Sequence, residues 1–100
     1  MWNNVYDTPE KYGLEIIGSI DDGGGYEYDI LCAWRHLETG KYYYGEDSGC
    51  SCNSAFEGCG IDSLEEIVLS DFKEVCSKRR GLNDAMELYR EVEEKIKEAP

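Results

Sequence analysis

Basic side chains and histidine are what this sequence has least of. Ten lysines and arginines face 22 aspartates and glutamates, a formal net charge of −12 over 100 residues. That balance excludes generic nucleic-acid binding, in which Lys and Arg must displace phosphate counterions, and docking on an anionic membrane surface. With one histidine, His36, there is no His-Glu-x-x-His helix and no Ser/His/Asp order to read as a triad, and no phosphate-binding loop is present. No stretch approaches the ~20 apolar residues of a spanning helix, and MWNNVYDTPE carries no basic run followed by an apolar one. The expectation is a cytosolic chain in a reducing setting. There, five cysteines, an odd number, read as thiols or metal ligands rather than as a disulfide framework.

What is present divides the chain, read as a single domain over residues 1–100. Residues 1–62 hold 12 acids and 3 bases (net −9), residues 63–100 hold 10 acids and 7 bases (net −3), and seven of the eight tyrosines precede residue 45. The pattern predicts an α+β fold: an N-terminal arm (1–12), a three-stranded antiparallel β-meander (about 14–20, 26–35 and 41–45), a Cys/Gly-rich loop (46–62) and two C-terminal helices (about 64–79 and 84–98). Leu14 to Ile20 is rich in β-branched residues and ends at Asp22-Gly23-Gly24-Gly25, a hairpin signal. From Tyr26 the chain alternates, with Tyr28, Ile30, Cys32 and Trp34 on one face and Asp29, Leu31, Ala33 and Arg35 on the other. His36 to Gly40 makes the second turn, and Tyr43 must point opposite to Tyr42 and Tyr44.

In the second half the period lengthens. Ser63-Leu64-Glu65-Glu66 fits a capping box, followed at helical spacing by Leu64, Ile67, Val68, Phe72, Val75 and Cys76. Lys78-Arg79-Arg80 and Gly81 read as cationic charge in the last turn and a left-handed cap. The second helix has a narrow stripe (Met86, Tyr89, Val92, Ile96), with Glu91–Lys95 and Glu93–Lys97 as i,i+4 pairs. That stripe predicts a peripheral helix over 83–99, at the edge of the core or against a second copy in a homodimer.

The loop carries the candidate chemistry. Cys50-x-Cys52 with Cys59 seven positions later offers three thiolates, to which zinc needs a fourth ligand such as His36, Cys32 or Cys76. A disulfide or plain loop thiols fit the same spacing, and Cys32 and Cys76 read equally as small apolar core residues. Neighbouring acids raise a thiol's pKa and disfavour a reactive nucleophile. Asp21 and Asp22 fit a hairpin turn better than a calcium loop. Glu46 and Asp47 read as a solvated rim.

Tyr12-Gly13-Leu14-Glu15, Tyr26-Glu27-Tyr28-Asp29 with Ala33-Trp34, Tyr42 to Tyr44, and Asp47-Ser48-Gly49-Cys50-Ser51-Cys52 with Phe56-Glu57 together resemble a family of small uncharacterised proteins encoded by actinobacterial phages. The likeness runs from about residue 12 to 67. In that family Gly-Cys-Ser-Cys is usually followed by Pro-x-Pro-Phe-Glu, and here Asn53 and Ala55 stand at the proline positions. The resemblance implies a phage origin and the cytoplasm of an infected bacterium, and it implies no reaction.

Acidic charge, tyrosines and the lack of a catalytic constellation favour a non-catalytic binding protein without a cofactor, whose partner is a host or defence protein with a basic surface. Tyr43, Tyr44, Glu46, Asp47 and Phe56 are the candidate binding residues. The alternatives are a zinc-stabilised module built on the loop cysteines and a thiol-based redox protein.

Overall fold

A computed structural model describes residues 4–50 and 55–98. Four antiparallel strands in the order β1-β2-β3-β4 form one sheet: β1 Leu14–Asp21, β2 Glu27–His36, β3 Tyr42–Cys50 and β4 Glu65–Glu66. Helices α1 Leu69–Ser77 and α2 Leu82–Glu98 follow. The meander and its alternation are those expected from the sequence, with Gly25 and Gly40 at positive φ in the two turns.

Both faces of the sheet are covered, which the strictly apolar run from Ile30 to Trp34 requires. On one face Leu31 and Ala33 pack with Phe72 and Cys76 of α1 and with Ala85, Leu88, Tyr89 and Val92 of α2. On the other, Ile30, Cys32 and Trp34 pack with Val5, Leu14 and Phe56, so the N-terminal arm and the segment after the cysteines form the second cover. The arm is pinned by Val5. Its N–H donates to the Cys59 carbonyl (3.2 Å), and its carbonyl accepts the Trp34 indole N–H (2.9 Å). Buried Asn4 closes the turn that contains Val5, accepting the Tyr6 and Asp7 N–H groups.

Several expectations from the sequence are corrected. Among the described residues there are four strands, because the residues read as a capping box extend instead: Leu64 has φ −101° and ψ 156°, and Glu65 and Glu66 pair with Tyr44 and Tyr43. Leu64 then joins the Trp34 face while Ile67 joins the helical face, an alternation that a helix over 64–68 would forbid. The first helix therefore begins at Leu69, after an extended Val68. β3 runs on through Glu46 to Cys50, where the sequence suggests loop, because β2 is long enough to pair with every one of those residues down to Glu27↔Cys50. Gly81 is not a left-handed cap. Its carbonyl starts α2 by accepting the Ala85 N–H (2.9 Å), and a Cβ there would meet an Asp22 carboxylate oxygen. The peripheral position expected for α2 gives way to a central one, since Ala85 and Leu88 widen its apolar stripe onto the sheet. Of its two expected ion pairs Glu93–Lys97 forms (3.5 Å), whereas Glu91 and Lys95 do not meet.

Close packing explains two glycines. The register skips between Ile16 and Gly18, a bulge that puts Ile17 in the helical core beside Gly18; a Cβ on Gly18 would lie 2.9 Å from Leu88 Cδ1. A Cβ on Gly45 would lie 2.9 Å from Leu64, 3.2 Å from Phe56 and 3.4 Å from Trp34. Gly45→Ala should therefore lower stability by about 1–3 kcal/mol through overpacking. Its urea midpoint should fall at unchanged slope. Gly24→Ala, where a Cβ would meet nothing within 4 Å, should be close to neutral; equal effects at both positions would contradict this packing.

Candidate functional site

The geometry first separates residues that hold the fold from those free to act. Arg79, just beyond α1, is buried, with its side chain 6% exposed. Its Nε donates to Asp22 (2.8 Å), Nη1 to Asp29 (3.2 Å) and Glu46 (3.0 Å), and Nη2 to the Asp29 carbonyl. Asp22 also accepts the Gly81 N–H (3.2 Å). Arg79 is thus a structural clamp rather than a counter-charge to the helix dipole, and Glu46 is its ligand rather than a solvated rim.

The five expected binding residues lie on both sides of the sheet. Tyr44 packs on Phe72 on the helical face (5.3 Å between ring centres), where Glu46 also sits. Tyr43 packs on the opposite face, with Phe56. Asp47 accepts the Phe56 N–H (2.7 Å) and the Tyr28 hydroxyl (3.5 Å). Phe56 is 2% exposed and edge-on to Trp34 (5.4 Å), with φ at +58°. A non-glycine residue in that region is strained by about 1 kcal/mol or more, and the Asp47 bond and ring packing hold it there. Phe56 is therefore core, and the five residues do not make one docking surface.

The cysteines also separate. Cys50 is disulfide-bonded, while Cys32, Cys59 and Cys76 are free. Cys52 lies outside the described residues. Burial pushes the Cys32 thiol up to about 12 and the Cys76 thiol up to about 11, as expected of core thiols. His36 accepts the Thr39 N–H at Nδ1 (3.2 Å) within its turn. Among the described residues no three metal-ligating side chains gather at one point. In the unreduced protein iodoacetamide at pH 8 should label Cys59, with Cys32 and Cys76 slower by about 100-fold or more because little thiolate forms. Cys50 should react only after reduction. Labelling of Cys50 without reductant would contradict this arrangement.

An acidic groove of about 410 Å³ lies between β1 and α2, lined by Gly18 to Asp21 and by Asp84, Glu87, Leu88 and Glu91. The four α2 residues recur at i, i+3, i+4 and i+7, which places them on one helix face. Leu88 anchors that face to Gly18, and the three carboxylates are left along its rim. None of the lining residues is cationic, and Asp84, Glu87 and Glu91 form no ion pair with a described residue. Glu87 and Glu91 stand four apart, so the helix tolerates a like-charge repulsion of a few tenths of a kcal/mol. Asp21 lies at the β1 end of the groove with its carboxylate turned to the first hairpin: N–H groups of Asp29 and Gly23 donate to it and hold its carboxyl below the usual range. The sequence does carry this signal, in acids at 84, 87 and 91 whose nominal helical partners, Arg90 and Lys95, form no ion pair with them.

No helix of the described residues is long and apolar enough to cross a membrane. No curated protein and no solved structure matches the chain. A family match spans residues 3–99, nearly the whole chain and both covers of the sheet. The protein thus belongs to the family described as domain of unknown function DUF7574.

Proposed function

We propose that the protein is a non-catalytic binding protein, phage-borne and acting in the cytoplasm of the infected bacterium, whose partner is a host or defence protein with a basic surface. The observation that carries this reading is the row Asp84, Glu87 and Glu91, three carboxylates on one helix face along a groove with no cation among its lining residues. Ion pairs elsewhere take up part of the chain's limited positive charge: Arg79 is clamped, and Lys41, Lys78 and Lys97 each meet a glutamate. An excess concentrated this way focuses field on an approaching cationic patch and raises the association rate, an effect that salt suppresses.

The aromatic residues play a different part from the one composition suggests. Tyr28, Tyr42, Tyr43, Tyr44 and Tyr89 are packed or half-buried, and among the described aromatic residues Tyr26 at the first hairpin is the one largely exposed, at 85%. The binding energy is accordingly assigned to charge and backbone more than to aromatic anchors.

The test is affinity purification from infected cells at low salt with mass spectrometry, comparing the wild type with Asp84→Asn/Glu87→Gln/Glu91→Gln. A basic protein should be recovered by the wild type, with an association rate that falls about tenfold or more between ~20 mM and ~300 mM salt, and it should be lost by the variant. Recovery of no partner, or equal recovery by both proteins, would overturn the proposal.

A further inference from the structure

We infer that β1 is a docking edge to which an extended, lysine- or arginine-bearing segment of the partner adds as a further strand. This rests on the acidic-surface reading and specifies its mode. With the order β1-β2-β3-β4 the sheet has two edges, and β4 is only two residues long against eight in β1. The Asp22 N–H donates to the Asp29 carbonyl, so Asp22 faces β2. The register is continuous from Gly18↔Ala33 to Asp21↔Ile30. By alternation Gly18 and Ile20 also face β2, whereas Ser19 and Asp21 turn their backbone N–H and C=O groups outward. Such unpaired groups are a ready template for another strand.

The acidic row selects what can be added. Asp84, Glu87 and Glu91 run beside this same stretch of β1 across the groove. Along a helix they are spaced by roughly 4.5 and 6 Å, and alternate side chains of an added strand are spaced by about 6.7 Å. Two or three cationic side chains at every second position therefore fall over the carboxylates while the intervening backbone bonds Ser19 and Asp21. A second copy of this chain is a poor occupant, because pairing β1 with β1 would oppose two such rows in a molecule of net charge −12. The bulge at Ile16/Gly18 breaks the regular outward pattern and confines pairing to the C-terminal half of the strand.

A blocked peptide of about nine residues alternating lysine with valine or threonine is the probe. Its binding is read by calorimetry at low salt and by amide hydrogen exchange. Ser19→Pro removes an outward N–H without touching the bonds to β2, a change that edge strands accommodate. Binding should weaken about tenfold or more in Ser19→Pro, and as much when the wild type meets the same peptide N-methylated at alternate residues. In the wild type, bound peptide should slow exchange at Ser19 and Asp21, a reading that needs no variant to fold. Wild-type affinity for the N-methylated peptide, together with unchanged exchange at Ser19 and Asp21, would overturn strand addition. If Asp84→Asn/Glu87→Gln/Glu91→Gln still lost the peptide, the acidic surface would survive that result. No binding of any peptide by the wild type would overturn both.

Discussion

One guanidinium holds the two halves of this molecule in register. Arg79 reaches from the link between the helices to the end of β1, to β2 and to β3, and it meets three carboxylates and a carbonyl at once. Asp22 is nearly as buried as Arg79, with its side chain 7% exposed, whereas Asp29 and Glu46 are 40% and 44% exposed. A buried charge is costly unless fully paired. Here the planar fork of arginine satisfies several acceptors in fixed directions, which a lysine could not reproduce. The partly exposed pairs are screened. The stabilisation therefore resides mainly in the Asp22 pair and in the cost of leaving that aspartate alone.

The clamp's position has consequences for function. Asp22 ties Arg79 to the Gly81 N–H, and Gly81 immediately precedes α2, so the helix carrying Asp84, Glu87 and Glu91 is fixed from its start against β1. Leu88 seated over Gly18 fixes it about two turns further on. The acidic row is thus rigidly placed along a sheet edge, which suits recognition by a preorganised surface. The opposite face of the sheet serves stability, where Trp34, Phe56 and Val5 lock the N-terminal arm and the cysteine-bearing segment together.

Much of the sheet was legible because alternation is a local signal: Tyr28 to Trp34 could not be read otherwise, and the glycines placed both turns. What misled was local pattern overridden by pairing. Ser63 to Glu66 has the composition of a helix start, but the open edge of β3 offers Glu65 and Glu66 backbone partners. Glu46 to Cys50 is polar and glycine-containing, yet β2 pairs with all of it. Arg79 looked like helix-end charge, since nothing in the sequence says that the distant acids Asp22, Asp29 and Glu46 converge there. The candidate site was missed for a similar reason. Tyrosines and acids adjacent in sequence on β3 alternate between the two faces, whereas the carboxylates of α2 share one face only at helical spacing and gain meaning beside β1.

The clamp places α2 against the sheet, and native-state hydrogen exchange of Arg79→Met tests that most directly. The Ala85 amide, bonded to Gly81, reports the first turn of α2, and the Leu31 amide reports the central strand. The clamp predicts that Ala85 loses protection by about tenfold or more beyond any loss at Leu31, as the helix start opens locally. Equal losses at the two amides, or none at either, would contradict it.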